Sequence, residues 1–345
     1  MAFISISSSK SYVFSLVDTV KQVLPGLFLC VMVATSAVFV SEHYNGPTIL
    51  YALIFGMALN YLSSEGRCVP GIQFTGKTLL RLGIALLGAK ITMDQLSSLG
   101  LMPVMIAMSV VPLTIASGYI SGRLLKLDTT QSILSGSAVG ICGASAALAV
   151  STVLPAREHS EKELVFTVIS VTALSTIAMV AYPMIASVLK LNATESGIFL
   201  GATIHDVAQV VGAGYMISSD TGDIATFTKL LRVAMLVPVV AIISLVVARQ
   251  NNRSKGQAAK LTLLPGFLVA FICIMLFNSL GYIPAPGVKW MGEISRWCLI
   301  VAMVALGMKA SLKELMSVGW RPMVHVVLQT VCLAVFVATW ILMAR

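Results

Sequence analysis

Long apolar runs separated by short polar stretches recur along the whole chain, at 22–41, 47–62, 74–91, 101–121, 130–153, 163–189, 194–217, 228–248, 263–281, 294–311 and 321–344. A helix rising about 1.5 Å per residue needs about 20 apolar residues to cross roughly 30 Å of hydrocarbon. The second run is short and reads as tilted or re-entrant. The third carries Lys77 and Arg81 in its first turns, which places its start at the interface with both side chains snorkelling. The pattern predicts an all-α polytopic membrane protein with about 11 transmembrane helices, or 10 if the second run does not cross. No stretch is left for a soluble domain, so 1–345 reads as a single integral membrane domain.

Composition agrees. Of 345 residues, 57% are hydrophobic and 11% charged, whereas a soluble domain is about a quarter charged and a disordered chain lacks this much apolar surface. The net charge of +9 would suggest nucleic acid in a soluble protein. Here the cations set orientation, and no nucleic acid is expected. With the N-terminus cytoplasmic, the inside collects Lys10, Lys21, Arg67, Arg123, Lys126, Lys190, Arg249, Arg253, Lys255, Lys260, Lys309, Lys313 and Arg321. The outside holds Glu42, Lys90, the mixed loop from Arg157 to Glu163, then Asp220, Asp223 and Lys289. The six cysteines show no C-x-x-C spacing and, Cys142 apart, read as small buried hydrophobes.

Two parts of the chain echo each other. Gly88-Ala89-Lys90, then Asp94-Gln95-Leu96, Gly100 and Pro103, matches Gly307-Met308-Lys309, then Lys313-Glu314-Leu315, Gly319 and Pro322. An odd number of spans separates them, which is the mark of inverted repeats, approximately 47–189 and 194–344.

Two runs carry candidate chemistry. The fifth reads Ser135-Gly136-Ser137-Ala138-Val139-Gly140-Ile141-Cys142-Gly143-Ala144-Ser145. Gly140 and Gly143 allow the helix to unwind, and unwound backbone at membrane depth is tolerated where protein buries it or where it lines a cavity. A half-helix starting after Gly143 would aim free N–H groups and a positive dipole end at an anion. Ser137 and Ser145 would add hydroxyls; the plainer reading is tight packing through a small-residue face. The seventh run contains His205, Asp206 and Gln209. His205 and Gln209, four apart, would share a helical face. A His-Asp pair inside an apolar span is costly unless it faces a cavity or a partner. Asp206 could carry a proton, bind a cation or orient the His205 ring; the plainer reading is an interhelical hydrogen bond. The two runs share the pattern G-[SA]-[AT]-[VI], at Gly136–Val139 and Gly201–Ile204, so one or two discontinuous, glycine-interrupted helices are expected around a midplane site. His325 with Gln329 reads as packing with a local hydrogen bond, Asn60 as a helix terminator, and Asn192-Ala193-Thr194 as a chance glycosylation match. No metal site or cofactor is expected, because one His and one Asp are too few ligands.

The blocks Gly140-Ile141-Cys142-Gly143-Ala144-Ser145-Ala146 and His205-Asp206-Val207-Ala208-Gln209-Val210, with Leu80 to Gly88 and Gly319 to Pro322, resemble the YeiH-type family of bacterial inner-membrane proteins, labelled sulfate exporters. The resemblance implies a multi-pass protein of the bile acid, arsenite and riboflavin transporter superfamily, with inverted repeats, discontinuous helices and alternating access. The function expected is secondary transport of a small anion such as sulfate or an organosulfonate. Ser137, Gly140, Cys142, Gly143, Ala144 and Ser145 would bind substrate; His205, Asp206 and Gln209 would couple or gate, with H+ or Na+ as coupling ion. Lipid is the other partner, and a homodimer is open. A passive anion channel is the alternative. An enzyme is not expected, since His205 with Cys142 or Ser145 is the only conceivable catalytic constellation.

Overall fold

A computed structural model describes residues 6–44, 47–92, 100–155, 160–250, 265–310 and 320–345. Every regular element among them is helical. Among the described residues six helices are long and apolar enough to cross a membrane: Val20–Tyr44, Met102–Leu124, Lys162–Val188, Ser219–Val247, Ala285–Lys309 and Trp320–Met343. Parts of the expected 88–103 and 307–322 echo (Asp94, Gln95, Leu96, Lys313, Glu314, Leu315 and Gly319), and Arg157, Glu158, Arg253, Lys255 and Lys260, lie outside the described residues. The chain forms two compact units, one of 1–89 with 283–310 and one of 90–282 with 311–345.

The first unit contains α1 (Ile6–Tyr44), α2 (Thr48–Ala58), α3 (Val69–Phe74) and α4 (Leu80–Leu87), the last two joined by the π turn Thr75–Leu79, and α14 (Ala285–Lys309). Its helices touch backbone to backbone at glycine pairs. A Cβ on Gly26 of α1 would stand 2.7 Å from Gly71 Cα, and one on Gly307 of α14 would stand 3.0 Å from Gly56 Cα. Asn60 does end a helix, though not its own: its amide donates to the Met308 carbonyl of α14 at 2.6 Å, and Ser63 Oγ donates to the same oxygen at 2.8 Å. Lys77 and Arg81 are exposed, as expected of snorkelling side chains. Gly307→Val must force α2 and α14 apart, and overpacking of this kind costs about 1–3 kcal/mol. It should lower the melting temperature in detergent, while Gly266→Ala, with nothing within 4 Å, should not.

The second unit contains α5 (Met102–Leu124), α6 (Thr129–Gly140), α7 (Ala144–Ser151), α8 (Ser160–Val188), α9 (Ala193–Thr203), α10 (Val207–Ile217), α11 (Ser219–Ala234), α12 (Leu236–Gln250), α13 (Gly266–Ser279) and α15 (Trp320–Met343). Helix α6 runs back along α5, with Gly122 against Ser132 and Gly136 against Ile115. Helix α7 then packs on α8 and α12, which returns it to the α5–α6 end. Helices α9 and α11 start together at the other end, where Thr221 Oγ1 donates to the Ala193 carbonyl at 3.2 Å. Between them α10 comes back to that end, since Gly214 lies against Gly222. The fifth and seventh runs are therefore two helical hairpins that start from opposite ends of the unit.

The turns that lead into the hairpins are built alike. Helix α5 closes with Leu127 N–H on the Gly122 carbonyl at 2.8 Å, and α8 with Leu191 N–H on the Ala186 carbonyl at 3.0 Å. In each, the lysine one residue earlier is left-handed, Lys126 at φ 57 and Lys190 at φ 52. These are Schellman closures, written Leu125-Lys126-Leu127-Asp128 and Leu189-Lys190-Leu191-Asn192. The stretches α5–α7 and α8–α10 thus each consist of a long helix, a like turn and a hairpin, with the two turns at opposite ends of the unit. Asn192 is the N-cap of α9, in a capping box with Glu195. Arg345 donates to the Glu195 carboxylate at 2.9 and 2.6 Å and holds its pKa below the ordinary carboxylate value. This pair stabilises above the usual carboxylate range, and its contribution disappears as pH falls through the lowered value. Melting wild type and Glu195→Gln at neutral and acidic pH should show a small gap at neutral pH, as suits an exposed pair, closing in acid.

Candidate functional site

The tip of the first hairpin comes from glycine chemistry. Helix α6 stops at Gly140, and Gly143 adopts φ 64, ψ −125, the conformation of the first central residue of a type II′ turn, which side chains resist. Its N–H returns to the Ala138 carbonyl at 2.8 Å. Helix α7 then starts at Ala144, as the spacing predicts, with no side-chain cap on its N-terminus. Gly140 serves packing, because α6 lies against Thr114 of α5 there. Ser137 and Cys142 are buried, Ala144 is half-buried and Ser145 is exposed. Gly143→Ala should keep the helices but strain the tip by about 1–3 kcal/mol, with a matching fall in melting temperature.

The second tip differs from expectation. The break falls at Ile204-His205-Asp206, with Ile204 at ψ 141 and Asp206 at ψ 140. His205 therefore shares no helical face with Gln209. The three side chains go to separate partners. His205, fully buried, pairs through Nε2 with Thr330 Oγ1 of α15 at 2.9 Å. The Asp206 carboxylate accepts from Ala208 N–H at 2.8 Å and caps α10, while its own N–H donates to Ser175 Oγ of α8 at 3.0 Å. Gln209 donates to Thr176 Oγ1 at 2.9 Å. The tips meet: a Cβ on Gly143 would stand 3.7 Å from the Cβ and carbonyl oxygen of His205.

What ties them together is a pair of cations that apolar patterning does not single out. Lys229 and Arg232 of α11 are fully buried. Lys229 Nζ donates to the Ile141 carbonyl of the first hairpin at 2.7 Å and to the Ile204 carbonyl of the second at 2.8 Å. Arg232 donates from Nη2 to Val139 at 2.7 Å, from Nε to Gly140 at 2.9 Å, and from Nη1 to Gly201 and Ile204 at 3.1 and 3.2 Å. These are the carbonyls that the C-terminal ends of α6 and α9 leave without intrahelical partners, at the negative ends of both dipoles. Asp206 and Cys142 lie within electrostatic reach of Lys229. The signal in the sequence is two cations three residues apart, in the first turns of the apolar run 228–248.

Around this knot, buried polar atoms remain without a hydrogen-bond partner: Ser137 Oγ, Ser170 Oγ, Gln209 Oε1 and Thr228 Oγ1. Each lies within about a helical turn of a tip, of α8 beside the tips, or of the cations, which leaves capacity for a polar ligand. With α10 capped by Asp206, the N-terminus of α7 beside exposed Ser145 is the one of the two without a side-chain cap. An anion is the ligand such an end holds. His325 does belong to packing, bridging Ser121 Oγ at 3.0 Å and Ser135 Oγ at 2.8 Å. No three His, Cys, Asp or Glu among the described residues gather as metal ligands.

Residues 25–326 match the family described as Conserved hypothetical protein 698. A UPF0324 membrane protein of Chlorobaculum tepidum is 51% identical over 91% of this chain and 87% of its own length. The UPF0324 membrane protein TauZ of Paracoccus denitrificans is 47% identical over 92% of this chain and 94% of its own. No solved structure matches.

Proposed function

This chain belongs to the Conserved hypothetical protein 698 family, whose relatives bear the name UPF0324 membrane protein, in keeping with the YeiH-type resemblance; from that premise we propose that it is a secondary transporter of a small anion. The observation that carries the reading is the meeting of two hairpins, started from opposite ends, at unwound backbone. Broken helices meeting at an inverted-repeat interface are how secondary transporters build a midplane site. In this reading each hairpin is re-entrant, so nine of the eleven apolar runs cross the bilayer. The α5–α6 end of the unit carries Arg123, Lys126, Lys162, Arg249 and Arg321 beside Asp128 and Glu163, against Lys190 and Arg345 beside Glu195 and Asp220 at the α8–α9 end, so the excess of Lys and Arg lies at the α5–α6 end. The positive-inside rule then puts the α5–α6 end in the cytoplasm of a bacterial inner membrane.

The substrate sits at the α7 N-terminus, held by backbone N–H groups and Ser145, with Ser137 and Cys142 behind it. His205, Asp206 and Gln209 set the second tip and carry coupling. Alternating access follows from moving the hairpin-bearing unit as a body. Sulfate, an organosulfonate or a small carboxylate suits a site made of dipole and hydroxyls. The test is counterflow in proteoliposomes across a panel of labelled anions. Saturable uptake, accelerated by unlabelled substrate inside, is expected for one of them. Uptake that neither saturates nor accelerates would mean a channel.

A further inference from the structure

We infer that the Lys229 ammonium is a built-in replacement for an alkali cation at the hairpin junction, so that transport at this site is not coupled to Na+. Carbonyls at the C-terminal ends of broken helices are the ligands with which such folds coordinate Na+. Here one carbonyl from each tip, Ile141 and Ile204, converges on a single nitrogen at 2.7 and 2.8 Å. An ammonium is compact, carries one positive charge and offers three donors, which suits carbonyl oxygens gathered around a point. Arg232, one helical turn on, takes the neighbouring carbonyls of Val139, Gly140, Gly201 and Ile204. A mobile cation seeking these oxygens would meet two fixed positive charges. The carboxylate that could offset it, Asp206, already accepts from Ala208 N–H and lies within reach of Lys229. Both halves of the junction are thus closed by groups the chain carries itself.

The inference rests on reading the junction as the transport site, but its test needs no flux, so it fails separately from that reading. The purified full chain is melted in choline chloride and in NaCl at equal ionic strength, as wild type and as Lys229→Ala. Wild type should melt alike in both salts. Lys229→Ala should melt lower, and should be restored in part by NaCl over choline or by millimolar ethylammonium, which fills the vacated stem and donates to the same carbonyls. If Lys229→Ala does not yield folded protein, Lys229→Gln is used, with a gain in NaCl over choline expected. Saturable stabilisation of wild type by Na+ would overturn the inference. So would a folded Lys229 variant that responds to neither cation more than wild type does.

Discussion

Arg232→Leu should leave almost no monodisperse protein after detergent extraction. The guanidinium holds four carbonyls from two hairpins; Ile204 would keep Lys229, and each of the other three left unpaired costs about 1–3 kcal/mol. Together these losses rival the 5–15 kcal/mol or so by which a whole domain is stable. Arg232→Lys should be intermediate, since it keeps the charge but lacks the planar fork that reaches both hairpins. The measurement is the monodisperse fraction by size-exclusion chromatography, followed by melting of what survives. A leucine variant melting within about 1 °C of wild type, under 1 kcal/mol in a chain of this size, would show that the carbonyls find other partners.

Asp206→Asn should fold and yet lose flux driven by a pH gradient. The structure separates the two roles of this side chain. An asparagine Oδ1 still accepts from Ala208 N–H, so the cap on α10 is kept. The charge is lost, along with its action on Lys229 and Cys142. Asp206→Ala loses both, and should melt lower by the equivalent of about 1 kcal/mol. The comparison is made in proteoliposomes with and without an imposed pH gradient. Wild-type gradient-driven flux from the asparagine variant would remove Asp206 from the coupling role.

Much of this was legible in the residues. The long apolar runs marked the helices, and Gly140 and Gly143 marked a break, because few other residues explain so little bulk at membrane depth. The restart at Ala144 followed from the same spacing. Other features were hidden for physical reasons. A run that turns back is as apolar as one that crosses, so 130–153 and 194–217 looked like spans. Each reversal flips the side of all that follows, and two reversals cancel. In the proposed topology only the loops between them change sides, so the overall charge bias is the same for nine spans as for eleven. Lys229 and Arg232 escaped because they open the run 228–248 directly after Ser219, Asp220, Thr221 and Asp223, which read as a loop, so the two cations pass for interface residues. The helix packs on the second hairpin and α5 and reaches the first hairpin through Lys229 and Arg232, so its polar face points inward, where outward-facing periodicity gives no guide. The shared helical face expected of His205 and Gln209 is absent, since extended backbone and not a helix holds His205 and Asp206. The Leu-Lys-Leu echo before each hairpin was readable and passes for coincidence until the two turns are compared.

The distance along the chain between Gly140 and Arg232, 92 residues, also matters while the protein is being made. At about 5–20 residues per second, the first hairpin leaves the ribosome roughly 5–20 s before the guanidinium that will satisfy its carbonyls. For that interval its tip is safe only in contact with water. In the proposed arrangement insertion of this hairpin is therefore expected to wait for α11, with the two halves of the junction entering the bilayer together and late in synthesis.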